Sequence, residues 1–245
     1  VNVEPDACPG RRCPHAAVCH FIESRERLRK AELVLSNHAL SLIDLAARRE
    51  GAGILPAATL AVFDEAHHLE RTAGEHLGLR FACGPLHKTL NLLRGERGHA
   101  GLWERAGGDA RGAVAADHAR AALRGLEADM RDLFEGRPPG PLPVTDERPL
   151  NDGAAGLLLE LTACLGDLIE SRGDDAVTAE LRHSASRLGN AAHCLRAWVE
   201  RDNPGMVYWV EPGGFRAEPS LRGALVDVAG ALRSELWGRF GGCVL

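Results

Sequence analysis

Lysine is almost missing from this chain: of 29 basic residues, only Lys30 and Lys88 are lysines. Lys30 follows Arg29 and Lys88 follows His87, so the sequence holds no phosphate-binding loop of the G-x-x-x-x-G-K-[ST] type. Aromatic residues are also scarce, at 4%. Together with abundant Ala and Gly, these biases read as genome composition and carry no functional weight. No apolar run approaches the roughly 20 residues that span a bilayer, and no signal peptide opens the chain, which predicts a cytoplasmic protein. Basic excess is absent as well. The net charge is −5, which argues against a nucleic-acid footprint over the whole surface and leaves room for a local basic strip.

What is present suits a globular protein. The 245 residues are 45% hydrophobic and 26% charged, enough for one large or two modest domains. Seven cysteines in a reducing compartment argue for metal or free thiols before disulfides.

Along the chain, residues 1–19 are rich in Pro and Cys and read as a loop organised by something other than a core. His20 to Lys30 is helical and basic. Leu33 to Asn37 is an apolar run of buried-strand type, and a helix through Leu40, Leu42, Ile43 and Leu45 follows it. After a break at Gly51 to Pro56, Leu60-Ala61-Val62-Phe63 is a second buried strand, ending on Asp64-Glu65. Strand, helix and strand with short loops indicate an α/β fold. Beyond about Thr72 the pattern becomes helical. Stripes run through Leu123 to Leu133, Leu157 to Leu168 and Val177 to Val199, with a Gly- and Pro-rich loop at Gly136 to Pro149. Met206 to Val210 reads as a strand with a hairpin partner from Phe215, Asp227 to Phe240 as a helix, and Cys243-Val244-Leu245 as the start of a buried strand. The expected divisions are 1–30, 31–72, 73–204 and 205–245.

Leu60 to Glu70 reads LAVFDEAHHLE. An apolar strand that delivers two adjacent carboxylates at its C-terminal end is where open α/β sheets place ligands. Nucleotide hydrolysis needs two acids with different tasks. Asp64 suits the holding of a hydrated magnesium ion on the β- and γ-phosphates, and Glu65 the activation of the attacking water. His67, past the turn, is placed to sense the γ-phosphate. In the alternative reading, Asp64, Glu65 and Glu70 are acids that cap a helix. Asp64-Glu65-Ala66-His67 resembles the DEAH form of the Walker B motif of superfamily 2 helicases.

Cys8, Cys13 and Cys19 are spaced C-x4-C-x5-C. Soft thiolates suit iron–sulfur clusters or zinc, and such clusters usually take four cysteines. Spacing alone leaves open zinc with His15 or His20 as a further ligand, and free thiols. The order of parts adds to this. The cysteine trio, a helix, Val34 to Leu40, a Leu55-Pro56 step and the DEAH strand together resemble the DinG branch of the DinG/XPD family of iron–sulfur helicases.

This resemblance implies part of a RecA-like motor domain, a mostly helical arch-type insertion over 73–204 and part of an iron–sulfur cluster domain over 1–30. It implies a 4Fe-4S cluster on Cys8, Cys13 and Cys19, with the fourth cysteine upstream, and the cofactors ATP and magnesium. It also implies a first cluster ligand and an ATP cradle before Val1, and termini that fall inside a cysteine motif and inside a strand. Cys83, Cys164, Cys194 and Cys243 match no ligand position of the family and read as buried small hydrophobes.

The implied partners are single-stranded and forked or duplex DNA, with translocation and unwinding by a monomer in DNA repair or replication. The local candidates for phosphate contact are Arg25, Arg27, Arg29 and Lys30, which also read as a solvated face balanced by Glu23, Glu26 and Glu32. Tyr208 and Trp209 suit base stacking or a core, and His38 and His68 structural roles. The competing class is a metal-stabilised nucleic-acid-binding module with no motor. Because nucleotide affinity comes largely from backbone amides around the phosphates, the chain by itself is expected to release no phosphate from ATP. DNA-stimulated phosphate release from the purified 245-residue chain would contradict this.

Overall fold

The computed structural model describes residues 13–49, 53–95, 100–138, 140–144, 150–213 and 218–245. In chain order the first elements are α1 (His20–Lys30), α2 (His38–Arg49), β1 (Leu60–Val62), α3 (Leu69–His76) and β2 (Leu79–Ala82). Next come α4 (Cys83–Arg94), α5 (Leu102–Arg105), α6 (Ala110–Asp132), β3 (Leu142–Pro143), α7 (Gly153–Glu170) and α8 (Ala176–Glu200). The last are β4 (Met206–Glu211), β5 (Ser220–Leu225), α9 (Ala229–Ala231) and β6 (Gly242–Val244). The chain divides into two compact units.

One unit comprises Gly10–Leu79, Gly205–Val207 and Ala224–Leu245. Here β1 and β6 pair in parallel, Leu60 opposite Gly242 and Val62 opposite Val244. Asn37 starts α2 by accepting a hydrogen bond from the Leu40 amide on its side-chain oxygen (2.8 Å). Helices α2 and α3 then bury Leu42, Leu45, Leu69 and Ala73 against Phe63, Val228, Leu232 and Leu236. The last two belong to a π-helical stretch, Leu232–Leu236, between α9 and a 3-10 turn at Trp237–Arg239, so the helix expected over 227–240 forms irregularly.

Asp44 ties this unit together. Its carboxylate is buried and accepts from the Ile54 amide (2.6 Å), the Leu55 amide (2.8 Å), Arg48 Nε (2.8 Å) and Arg239 Nη1 (2.8 Å). Arg48 also donates to the Leu55 carbonyl. An added Cβ at Gly53 would lie 2.8 Å from the Arg48 guanidinium, so glycine lets the loop close over it. Two arginines and two amides on one carboxylate satisfy a charge that would otherwise be costly to bury.

The described residues of the other unit fall within Arg80–Pro204 and Tyr208–Gly223. The three leucine stripes fall on α6, α7 and α8, which pack in sequence, with α4 against α6. Leu123, Met130, Leu158, Leu161, Leu165, Leu181, Leu188 and Leu195 are all fully buried. Asp109 and Asp175 cap α6 and α8 through the Gly112 (2.9 Å) and Thr178 (2.7 Å) amides. Gly112 is required for packing, because a Cβ there would lie 1.9 Å from the Trp103 ring. A four-stranded sheet in the order β2-β5-β4-β3 flanks the helices. Trp198 of α8 donates to the Arg222 carbonyl of β5 (2.8 Å) and meets Tyr208 of β4 edge-on.

Several elements differ from the sequence reading. Residues 33–37 form no strand, and Leu33 and Leu35 are 77% and 90% exposed; a strand needs a ladder partner, and this run has none among the described residues. The strand at Leu60 forms, but it is not buried: Leu60 and Val62 are exposed, and only Phe63 beyond it enters the core. Part of the expected loop at 136–149 is ordered as β3, antiparallel to β4 with Leu142 opposite Val210. The hairpin start at Phe215 lies outside the described residues, and β5 runs from Ser220.

Burial alone would raise the pKa of Asp44, but the bonds from Arg48, Arg239, Leu55 and Ile54 outweigh it and hold the carboxyl below its ordinary value. A lowered acid contributes stability that is complete above the ordinary carboxylate range and lost as pH falls through the lowered value. Asp44→Asn should therefore cost about 3 kcal/mol at neutral pH, by stranding two arginines, and should flatten the acid limb of the stability profile. Urea unfolding at several pH values, followed by circular dichroism, measures both.

Candidate functional site

The DEAH segment lies at the carboxyl end of β1. The Phe63 amide donates to the Val244 carbonyl (2.8 Å), extending the pairing one residue past the strand. The Phe63 ring is buried, edge-on to Trp237 (5.2 Å between centroids) and close to Phe240 (6.4 Å) and His38 (6.3 Å). This aromatic anchor fixes where the next two residues emerge.

Asp64 and Glu65 are both exposed. Glu65 has φ 53° and ψ 43°, a left-handed conformation that costs a non-glycine residue about 1–2 kcal/mol and turns the chain sharply. A 3-10 turn, Ala66–His68, follows, and the His68 amide donates to the Glu65 carbonyl (3.0 Å). Ala66 packs on the core and Leu69 is buried, three residues apart, so the intervening His67 and His68 project outward. Glu65 Oε2 and His67 Nδ1 lie 3.2 Å apart, and the His67 and His68 rings meet tilted by 43° with centroids 3.9 Å apart. Thr72 Oγ1 donates to the His68 carbonyl and fixes the start of α3 (2.8 Å).

Of the acids in the helix-capping alternative, Glu70 lies in the first turn of α3, where a carboxylate faces the helix dipole. Neither the 3-10 turn nor α3 has a side-chain cap hydrogen bond at its N-terminus. Glu65 instead turns towards His67. The segment presents an outward acid–imidazole pair beside a second exposed carboxylate, Asp64. These are groups able to hold a cation, orient water and take up a proton.

Cys13 and Cys19 flank a 3-10 turn, Ala16–Val18; the Ala16 amide donates to the Cys13 carbonyl (2.9 Å), and Cys19 is the N-terminal flanking residue of α1. Cys8 lies outside the described residues. Both described thiols are free and partly exposed. The other cysteines differ. Cys83 is fully buried, and burial, with the charges of Glu127 and Glu218, pushes its thiol up to about 12 despite Arg131. Burial also raises Cys164 and Cys194. Cys243, expected to be buried, is exposed on β6, which among the described residues is an edge strand of a two-stranded sheet. As soft, accessible donors close in sequence, Cys13 and Cys19 fit a thiolate-bound metal group.

Helix α1 buries none of its residues, so Arg27, Arg29 and Lys30 are exposed. Arg25 is half-buried: its Nη1 donates to the Ile54 carbonyl (2.8 Å), and its guanidinium lies 5.5 Å from the Phe21 ring. Tyr208 is buried, which favours the core over stacking; Trp209 is half-buried.

Sequence reasoning missed Asp44, although an acid inside the apolar run Leu42-Ile43-Asp44-Leu45, four residues before Arg48, was its available signal. His68, read as structural, is exposed and has a ring nitrogen within 4.8 Å of ligand atoms of Glu65 and His67.

No family model matches the chain. It is 35% identical over 74 residues to the ATP-dependent DNA helicase YoaA of Haemophilus influenzae, a match covering 30% of this chain and 12% of that protein. It is 40% identical over 63 residues to the ATP-dependent DNA helicase DinG of Photobacterium profundum, covering 24% of this chain and 9% of the relative. With the 3'-5' exonuclease DinG of Bacillus subtilis it shares 38% identity over 78 residues, 30% of this chain and 8% of that protein. The chain thus spans only about a tenth of the length of these curated relatives, and over about three tenths of its own length it is similar to proteins named as DinG and YoaA.

Proposed function

We propose that this chain is a segment of an ATP-dependent DNA helicase of the DinG/XPD type, which couples ATP hydrolysis to movement along single-stranded DNA and duplex unwinding. The observation that carries the reading is the DEAH segment itself. Asp64 and Glu65 emerge, exposed, from the carboxyl end of a strand in a parallel pair, and Glu65 meets His67 across a left-handed turn. The printed names of the relatives favour the same reading.

In this reading Asp64 binds the magnesium of the nucleotide, and Glu65 orients the attacking water and accepts its proton. His67, against the Glu65 carboxylate, is placed to couple the state of that acid to the rest of the enzyme. Residues 31–72 and 205–245 belong to the RecA-like motor, 73–204 to the arch-type insertion and 1–30 to the cluster domain. Cys8, Cys13 and Cys19 would supply three thiolate ligands to a 4Fe-4S cluster, which when bound would anchor the turn before α1. Arg27, Arg29 and Lys30 offer charge to DNA phosphates; Arg25 contributes by holding α1 to the Ile54 carbonyl. The intact protein acts in the bacterial cytoplasm. Among the described residues no helix is long and apolar enough to cross a membrane.

The three acidic-motif side chains should fail differently in the intact protein. Glu65→Gln should keep nucleotide binding and lower turnover by a factor of about 10² to 10⁴, the usual worth of a general base. Asp64→Asn should weaken magnesium–nucleotide binding, and His67→Ala should leave hydrolysis while reducing unwinding. Steady-state ATPase, nucleotide binding and strand-displacement assays decide; normal turnover in Glu65→Gln would refute the assignment. For the cysteines, anaerobically purified intact protein should contain about four irons and matching sulfide per chain. Stoichiometric zinc without sulfide would exclude the cluster.

A further inference from the structure

We propose that Glu65, His67 and His68 together form a binding site for a borderline-soft divalent transition ion such as zinc or cobalt. One ligand atom from each of the three side chains falls within 4.8 Å of the other two, and among the described residues no other set of three acids, histidines or cysteines does so. Ligands at about 2.0–2.1 Å from a tetrahedral ion lie roughly 3.4 Å from one another. Glu65 Oε2 and His67 Nδ1 already stand at 3.2 Å, close to that edge length. The His68 ring is tilted by 43° to that of His67, with centroids 3.9 Å apart, and one of its nitrogens lies within 4.8 Å of both other donors.

The backbone favours this arrangement. The left-handed turn at Glu65 directs its carboxylate towards the 3-10 turn, and the packing of partly buried Ala66 and buried Leu69 on the core pins both ends of the short segment that carries the imidazoles. Two imidazoles and one carboxylate select zinc, cobalt, nickel or copper over magnesium and calcium, which prefer all-oxygen shells. Exposure of all three side chains leaves the fourth position open to water or a phosphate oxygen. The site is therefore chemically distinct from a magnesium site built on Asp64.

The functional consequence rests on the proposed role of Glu65. An ion held here occupies the carboxylate that activates water and the imidazole that contacts it, so transition metal inhibits ATP turnover. His68 carries the test, because it belongs to the metal set and has no part in the proposed hydrolysis.

Co²⁺ is titrated into the 245-residue chain in magnesium-containing buffer, alongside His68→Ala and His68→Asp. Binding is read by visible absorption and by competition with a chromophoric chelator. The cysteine thiolates are common to all three proteins, so differences report the histidine site. His68→Ala should weaken one Co²⁺ site at least tenfold, and His68→Asp, which restores a ligand, should recover most of the loss. Equal Co²⁺ binding by wild type and His68→Ala would overturn the site. In the intact protein, the Zn²⁺ concentration that halves each variant's own zinc-free, magnesium-supported ATPase rate should rise at least tenfold in His68→Ala. Equal inhibition of both proteins would overturn the inhibitory role. Loss of Co²⁺ binding in His68→Ala, in an intact protein that hydrolyses no ATP, would keep the metal site and refute the helicase reading instead.

Discussion

A single buried carboxylate organises the unit that carries the DEAH segment. Asp44 accepts hydrogen bonds from two arginines, one four residues along its own helix and one near the chain's end, and from two consecutive amides of the loop before β1. Those partners come from three separated stretches of sequence, so one acid fixes α2, the approach to β1 and the irregular helix before β6 to one another. The geometry is costly to disturb, since removing the charge strands two guanidinium groups that are themselves mostly covered. Everything at the candidate site hangs from this arrangement: β1 pairs with β6, Phe63 reaches Trp237 and Phe240, and Asp64-Glu65 emerges where that anchor ends.

The DEAH segment combines a rigid base with an exposed tip. Phe63, Ala66 and Leu69 face the core, while Asp64, Glu65, His67 and His68 face outward. The left-handed Glu65 is the hinge between the two sets, and it carries the kind of backbone strain that accumulates at functional positions. One short stretch thereby presents two chemistries: hard oxygen donors suited to magnesium and a mixed carboxylate–imidazole set suited to softer ions.

The helical unit contributes differently. Its interior is leucine and alanine on α6, α7 and α8, and its buried cysteine, Cys83, is held as a neutral thiol by burial and neighbouring acids. Buffered in this way, Cys83 behaves as a small apolar side chain, in contrast to the accessible Cys13 and Cys19.

Much was legible from sequence because it is local. The stripe spacing placed α6, α7 and α8, the His20–Lys30 helix was read with its own limits, and the adjacent acids of DEAH marked the end of β1. Hydrophobicity alone misjudged Leu33 to Asn37 and the burial of Leu60, because a strand and its burial are decided by partners elsewhere in the chain. Arg25 shows the same limit: its charge marked it for phosphate contact, yet only folding brings the Ile54 carbonyl to it. Neither His68 nor Asp44 was singled out for a functional role from sequence, for a related reason. What makes each matter is a distance, from His68 to its two neighbours across a left-handed turn and from Asp44 to an arginine 195 residues away. Periodicity and adjacency thus determined the helices and the acidic motif, while tertiary structure decided which charges meet, because a carboxylate's role depends on the donors that the fold brings within hydrogen-bond reach.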